Sequence, residues 1–202
     1  MNTFILFFLL ASFLILLYFL VIRNWQLTWG ATKKEINQSL IGDDIVQKPH
    51  FVATRAISIE ASPDEVWKWI VQIGSNRAGF YSIDLIDNAN VPSSRNILPE
   101  YQKIEKDYFV PFTPNQKNGM WVKDYQEPEY ILWWDRKKNG TWGWFLRQPE
   151  AGNTRLITRL RTKYNFSFPW IIYYIFYDFG DIIMMSKCML GIKERAENHI
   201  KL

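Results

Sequence analysis

From Phe4 to Ile22 the chain is apolar at every position except Ser12 and Tyr18, and no other feature restricts the molecule as strongly. A helix of about 20 residues, rising 1.5 Å per residue, crosses the ~30 Å hydrocarbon layer of a bilayer. The run therefore predicts a transmembrane anchor over residues 1–23. A cleavable signal peptide, the competing reading, would carry a basic start, a shorter apolar core and small residues at a cleavage site. Here Met1, Asn2 and Thr3 bring no side-chain charge, and the run ends in Ile22-Arg23-Asn24-Trp25. Arg23, Lys33 and Lys34 all follow the apolar run. The positive-inside rule then places the rest of the chain in the cytoplasm, as the globular part of a single-pass membrane protein. Trp25 and Trp29 suit the headgroup layer, where an indole buries its rings and wets its N–H.

Residues 24–50 are polar and poorly periodic, with Gly30, Gly42, Asp43-Asp44 and Pro49. They read as a juxtamembrane linker, either folded against the domain or loosely ordered. Residues 51–202 have the size of one domain with its own core. Net charge is +4, with 24 Lys and Arg against 20 Asp and Glu, too balanced and dispersed for a nucleic-acid footprint. A mildly basic surface beside anionic membrane lipid accounts for it. The single Cys188 excludes an internal disulfide, and His50 and His199 stand near opposite ends of the domain. Neither a metal site nor a cofactor is expected.

Val52–Ile59 is rich in Val, Ile and Thr and predicts a first strand. Ser62-Pro63-Asp64-Glu65 then supplies an N-cap hydroxyl, a proline at the first helical position and an acid placed to close a capping box. Val66, Trp67, Ile70, Val71 and Ile73 give the apolar face of a helix over 63–73, with Gly74 as its stop. A short helix is predicted from Ser82 to Asn88, capped by Ser82. Candidate strands follow at 108–112, 120–125, 130–135, 141–147 and 154–163, separated by hairpin signals such as Asn118-Gly119 and Gly152-Asn153. Residues 169–200 predict a long closing helix. The expected fold class is α+β, a curved antiparallel sheet wrapped around a long C-terminal helix. This helix-grip arrangement leaves a space between sheet and helix that suits a ligand.

Particular motifs sharpen that expectation. Trp29-Gly30-Ala31-Thr32, Thr54-Arg55-Ala56-Ile57, Pro63-Asp64-Glu65-Val66-Trp67, Gln72-Ile73-Gly74 and Arg77-Ala78-Gly79-Phe80-Tyr81-Ser82 occur in this order. Met184-Met185 and Met189-Leu190-Gly191-Ile192-Lys193-Glu194-Arg195-Ala196-Glu197 complete the set. With these the chain resembles the SRPBCC superfamily, which includes START lipid-transfer domains, polyketide cyclases and the major birch-pollen allergen. More narrowly it resembles a bacterial, often membrane-anchored subgroup. The resemblance implies the helix-grip fold and an apolar cavity, and it brings no agreed reaction. Where such proteins commonly carry Trp and Glu after the Tyr-Ser-x-Asp segment, this chain has Leu85 and Asp87.

Candidate ligand contacts come from three places: Arg77, Phe80, Tyr81 and Asp84 around the short helix, Trp133, Trp142 and Trp144 on the strands, and Met185 on the long helix. Packing accounts for most of the tryptophans, and an Arg77–Asp84 ion pair competes with ligand binding by those two residues. Arg155, Arg159, Arg161 and Lys163 share one strand face and predict a solvated outer surface. Phe166–Tyr177 is too short to span a membrane and reads as a buried helix start or an interfacial contact. Cys188 has no histidine near it in sequence, and no phosphate loop is present. The expected function is a membrane-anchored binding module for a lipid or other hydrophobic small molecule. Two alternatives stand beside it: a cyclase-like enzyme using Asp84 with Arg77 or Tyr81, and a scaffold for a protein partner that the sequence does not identify.

Overall fold

A computed structural model describes residues 3–199. The first two residues of the expected anchor, the expected helix end at Ile200 and the domain's last two residues lie outside the described residues.

The chain begins with α1 (Thr3–Leu17), continues through a π turn (Tyr18–Ile22) and ends in α2 (Arg23–Leu27). Together these form one helix of 25 residues, long and apolar enough to cross a membrane. Its apolar side chains project outward along nearly its whole length, with Tyr18 and Gln26 as the buried exceptions. A short helix, α3 (Lys33–Asn37), follows, and it opens with a reciprocal capping box between Thr32 and Glu35.

Six antiparallel strands form the sheet: β1 (Phe51–Ile59), β2 (Phe109–Pro111), β3 (Gly119–Gln126), β4 (Tyr130–Trp134), β5 (Gly140–Arg147) and β6 (Thr154–Thr162). Their spatial order is β1-β6-β5-β4-β3-β2, so the chain meanders from β2 to β6 and the first strand closes the far edge. Register aligns Val122, Trp133, Trp142, Leu160 and Ala53 in one row across five strands. That row belongs to the inner face, which packs under α4 (Pro63–Val71) and the 30-residue α6 (Trp170–His199). In α6 the buried residues Met185, Cys188, Met189, Ile192 and Ala196 recur at helical spacing and form the gripped half. This is the helix-grip arrangement.

The Ser62 hydroxyl accepts from the Glu65 amide at 3.3 Å, as the cap signal implies. The Glu65 carboxylate does not complete the box; it takes Lys68 at 2.8 Å and His199 at 2.6 Å instead. The expected cap at Ser82 also differs. The short helix α5 (Asp84–Asp87) is preceded by Ile83 without a side-chain cap, because the Ser82 hydroxyl donates to the Met184 carbonyl at 3.0 Å.

The outer face corrects the expectation of a solvated surface. Phe145, Ile157 and Ala56 there carry Leu40 and Ala31 of the 28–50 segment above them. Arg159 is 5% exposed. It donates to Asp43 at 2.7 Å and to the Glu35 and Ile36 carbonyls at 2.9 Å, while Arg155 reaches Glu35 at 2.7 Å. Strand alternation put these arginines correctly on one face; a folded segment, not water, covers most of it, and Lys163 alone of the four stays exposed.

Candidate functional site

Between the inner face and the first half of α6 lies an apolar cavity of about 510 Å³, within the range of small-molecule sites. The sheet contributes Trp142 and Leu160, with Phe112 and Met120 from the β2–β3 hairpin. Phe80 and the short helix residues Ile86 and Asp87 form one side. From α6 come Tyr173, Phe176, Tyr177 and, one turn on, Gly180, Asp181 and Met184. Met185 and Cys188 close the inner end.

The meander makes this space. Trp142 and Trp133 sit opposite one another at 5.1 Å between ring centroids, and Trp144 lies 5.0 Å from Trp142. Three indoles on neighbouring positions raise the floor on the β4 side, and Trp142 donates to the Thr158 hydroxyl at 2.9 Å, which holds its ring in place.

Of the residues singled out from sequence, the structure brings Phe80, Trp142 and Met185 together at the cavity. Trp133 and Trp144 are wholly buried in the core behind it. Asp84 faces elsewhere: its two oxygens accept from the Ser93 hydroxyl at 2.5 Å and the Ser93 amide at 3.0 Å. The expected Arg77–Asp84 pair is not formed. Arg77 lies 4.6 and 4.8 Å from the ring centres of Tyr101 and Tyr108, and it donates to the Val71 carbonyl at 2.6 Å. Desolvation lowers its pKa, and the electron-rich rings replace an acid as its partners. Tyr81 is structural as well, donating to the Trp69 carbonyl at 3.0 Å and accepting from Gln72 at 2.9 Å. Burial pushes its phenol well above its ordinary pKa.

Two further carboxylates, Asp87 and Asp181, acid–base candidates by residue type though not among the expected ligand contacts, line the cavity. Burial raises the Asp87 pKa to about 6, with the neighbouring Asp84 charge adding to it. Asp181, on α6, sits 2.6 Å from the Arg55 guanidinium, and the two side chains are 7% and 1% exposed. Burial raises the Asp181 pKa even so, with Arg55 pulling the other way. Burial in the same place drives the Cys188 thiol upward from its ordinary range, which disfavours the thiolate.

The N-terminal helix docks on α6 at Asp178 and Phe179, next in sequence to the cavity residues Tyr177 and Gly180. Ile86, Tyr173 and Phe176 at the mouth are exposed, and so are Phe166, Phe168 and Trp170 just before them in the fold. The segment 166–177 is therefore not a buried helix start. Asp178 ties α6 to the anchor: it accepts from Tyr18 at 2.9 Å, from Arg23 at 3.0 and 3.1 Å and from Tyr164 at 3.0 Å. Gln26 donates to the Asp178 carbonyl at 2.7 Å, and the Tyr18 and Phe179 rings stack at 4.2 Å. Trp25 stays exposed, whereas Trp29 turns inward onto the core.

No family model matches the chain, and no curated protein does. Solved structures similar to it include a conserved protein of unknown function from Enterococcus faecalis, with 16% identity, 76% of this chain and 84% of that one covered, and a TM-score of 0.47. CalU16 from Micromonospora echinospora has 15% identity over 73% of this chain and 84% of its own, with a TM-score of 0.34. A polyketide cyclase-like protein from Corynebacterium glutamicum has 15% identity over 74% and 82%, with a TM-score of 0.35.

Proposed function

We propose that the chain is a membrane-anchored binding module that holds a lipid or other hydrophobic small molecule between sheet and α6, with the domain on the cytoplasmic side. The carrying observation is the apolar cavity whose mouth residues, Ile86, Tyr173 and Phe176, continue into an exposed apolar surface beside the N-terminal helix. Exposed aromatic residues of this density mark a contact surface, and a bilayer at the anchor is the one that fits their chemistry. A ligand leaving the bilayer would then enter the cavity without crossing water.

The scaffold alternative required a cavity filled by the protein's own side chains, and about 510 Å³ of open space speaks against it. The cyclase-like alternative would have to use Asp87 or Asp181, because Asp84 is held by Ser93 and does not line the cavity.

The test is native mass spectrometry of the full chain in lipid nanodiscs, beside a Gly180→Leu variant. Gly180 lines the cavity and a Cβ added there meets nothing within 4 Å, so a leucine has open space to enter. A stoichiometric apolar compound in the wild type that is absent from the variant supports the module. Equal lipid retention in both would remove it.

A further inference from the structure

Asp87 lines the cavity with no cation paired to its carboxylate among the described residues. One of its carboxyl oxygens is fully buried and unpartnered among the described residues. The Ser82 hydroxyl beside it is also 3.0 Å from the Met184 carbonyl, which competes for its one proton. The neighbouring Asp84 is another acceptor, already held by Ser93. Of the cations on α6, Arg195 is turned away, over the Tyr81 ring at 4.5 Å and onto the Ser94 carbonyl at 2.8 Å.

The rest of the cavity's polar complement has the same character. Its residues include the carboxylates Asp87 and Asp181, the hydroxyls of Thr141, Thr162 and Tyr177, and no Lys, Arg or His. Arg55 stands behind Asp181 and is engaged by it and by the Gln26 carbonyl at 2.8 Å. A ligand carboxylate or phosphate placed against Asp87 would meet like charge with no cation in the lining beside it, at a cost that low polarity magnifies. A head group that donates protons would instead gain a charge-assisted hydrogen bond.

We propose that the cavity selects apolar molecules with a hydrogen-bond-donating head, a cationic amine above a hydroxyl, that this head rests against Asp87, and that anionic amphiphiles are refused. This rests on the cavity being a ligand site.

The experiment uses the full chain in zwitterionic nanodiscs loaded with pyrene as a neutral probe, displaced in turn by dodecylamine, dodecanol and dodecanoic acid. Empty nanodiscs supply the partition baseline. The amine is expected to displace the probe at a concentration at least about tenfold below that of the acid, the worth of one charge-assisted hydrogen bond. Asp87→Asn should bring the two within about threefold, and Asp87→Glu should retain the preference. Acid binding as tight as amine, or a preference that survives in Asp87→Asn, overturns the selection and leaves the module standing. Pyrene bound no better by the wild type than by Gly180→Leu overturns the module and the selection together.

Discussion

Removing the Asp181 carboxylate should destabilise the protein more than any other single change at the cavity. Arg55 is 1% exposed and Asp181 7%, with 2.6 Å between their charged groups. Their attraction offsets the desolvation of both ions, so Asp181→Ala leaves a guanidinium buried among apolar side chains, with the Gln26 carbonyl as its remaining partner. Losing one member of a buried pair costs about 3–5 kcal/mol. For a domain of this size each kcal/mol lowers Tm by about 2–4 °C, so the variant should melt about 10 °C below the wild type. The double variant Arg55→Met/Asp181→Leu replaces both ions with apolar volume and should recover to within about 1 kcal/mol of the wild type. Thermal melts of the full chain in one nanodisc preparation, followed by near-ultraviolet dichroism, would measure all three proteins. A cost below about 1 kcal/mol for Asp181→Ala, or a double variant as unstable as the single, would show that water reaches Arg55 and that the reasoning from burial is wrong.

Gly191 packs its Cα onto the Tyr81 carbonyl, and an added methyl would run into that backbone oxygen; Gly191→Ala should cost about 1–3 kcal/mol, read as a lowered urea midpoint. Arg155 and the Thr32 cap hold the Glu35 pKa down to about 2 from 4.5, so its contribution is complete above pH 4.5 and lost as pH falls towards 2. The stability gap between wild type and Glu35→Gln should therefore close over that interval in acid titrations, and a constant gap would refute the link. Asp87 has the opposite sign: its folded pKa of about 6 penalises the native state above that pH and not below 3.8. Asp87→Asn should melt higher than wild type at pH 7.5 and level with it at pH 4; a variant less stable at both would contradict an unpaired carboxylate.

How far the sequence carried depends on whether a residue's role is local. Ser62-Pro63-Asp64-Glu65 announced α4 within two residues of its end, because capping is settled by the four residues themselves. Thr32-Lys33-Lys34-Glu35 carries the same capping signal and was passed over inside a segment read as linker; it starts α3. Alternation put Arg155 and Arg159 on one face but could not say that Asp43 and Glu35 would cover it, since that depends on where the chain from the anchor returns. The two acids of α5 show the limit most clearly. Asp84 and Asp87 are one turn apart, and only the path of the 88–94 loop assigns the first to Ser93 and leaves the second at the cavity.

The segment folded on the outer face also changes what the N-terminal helix can do for the domain. A free chain of residues 28–50 would let the domain wander over roughly 25 Å. Here the Thr32 cap, the Arg159 carbonyl contacts and the Asp178 cluster take up that slack on both sides of the helix exit. The helix and the domain then move as one piece, like a boat on its keel rather than a buoy on a line. With that helix in a bilayer, as proposed, the tilt of one would set the height of the cavity mouth, and a molecule reaching it from the bilayer would be found by search in two dimensions.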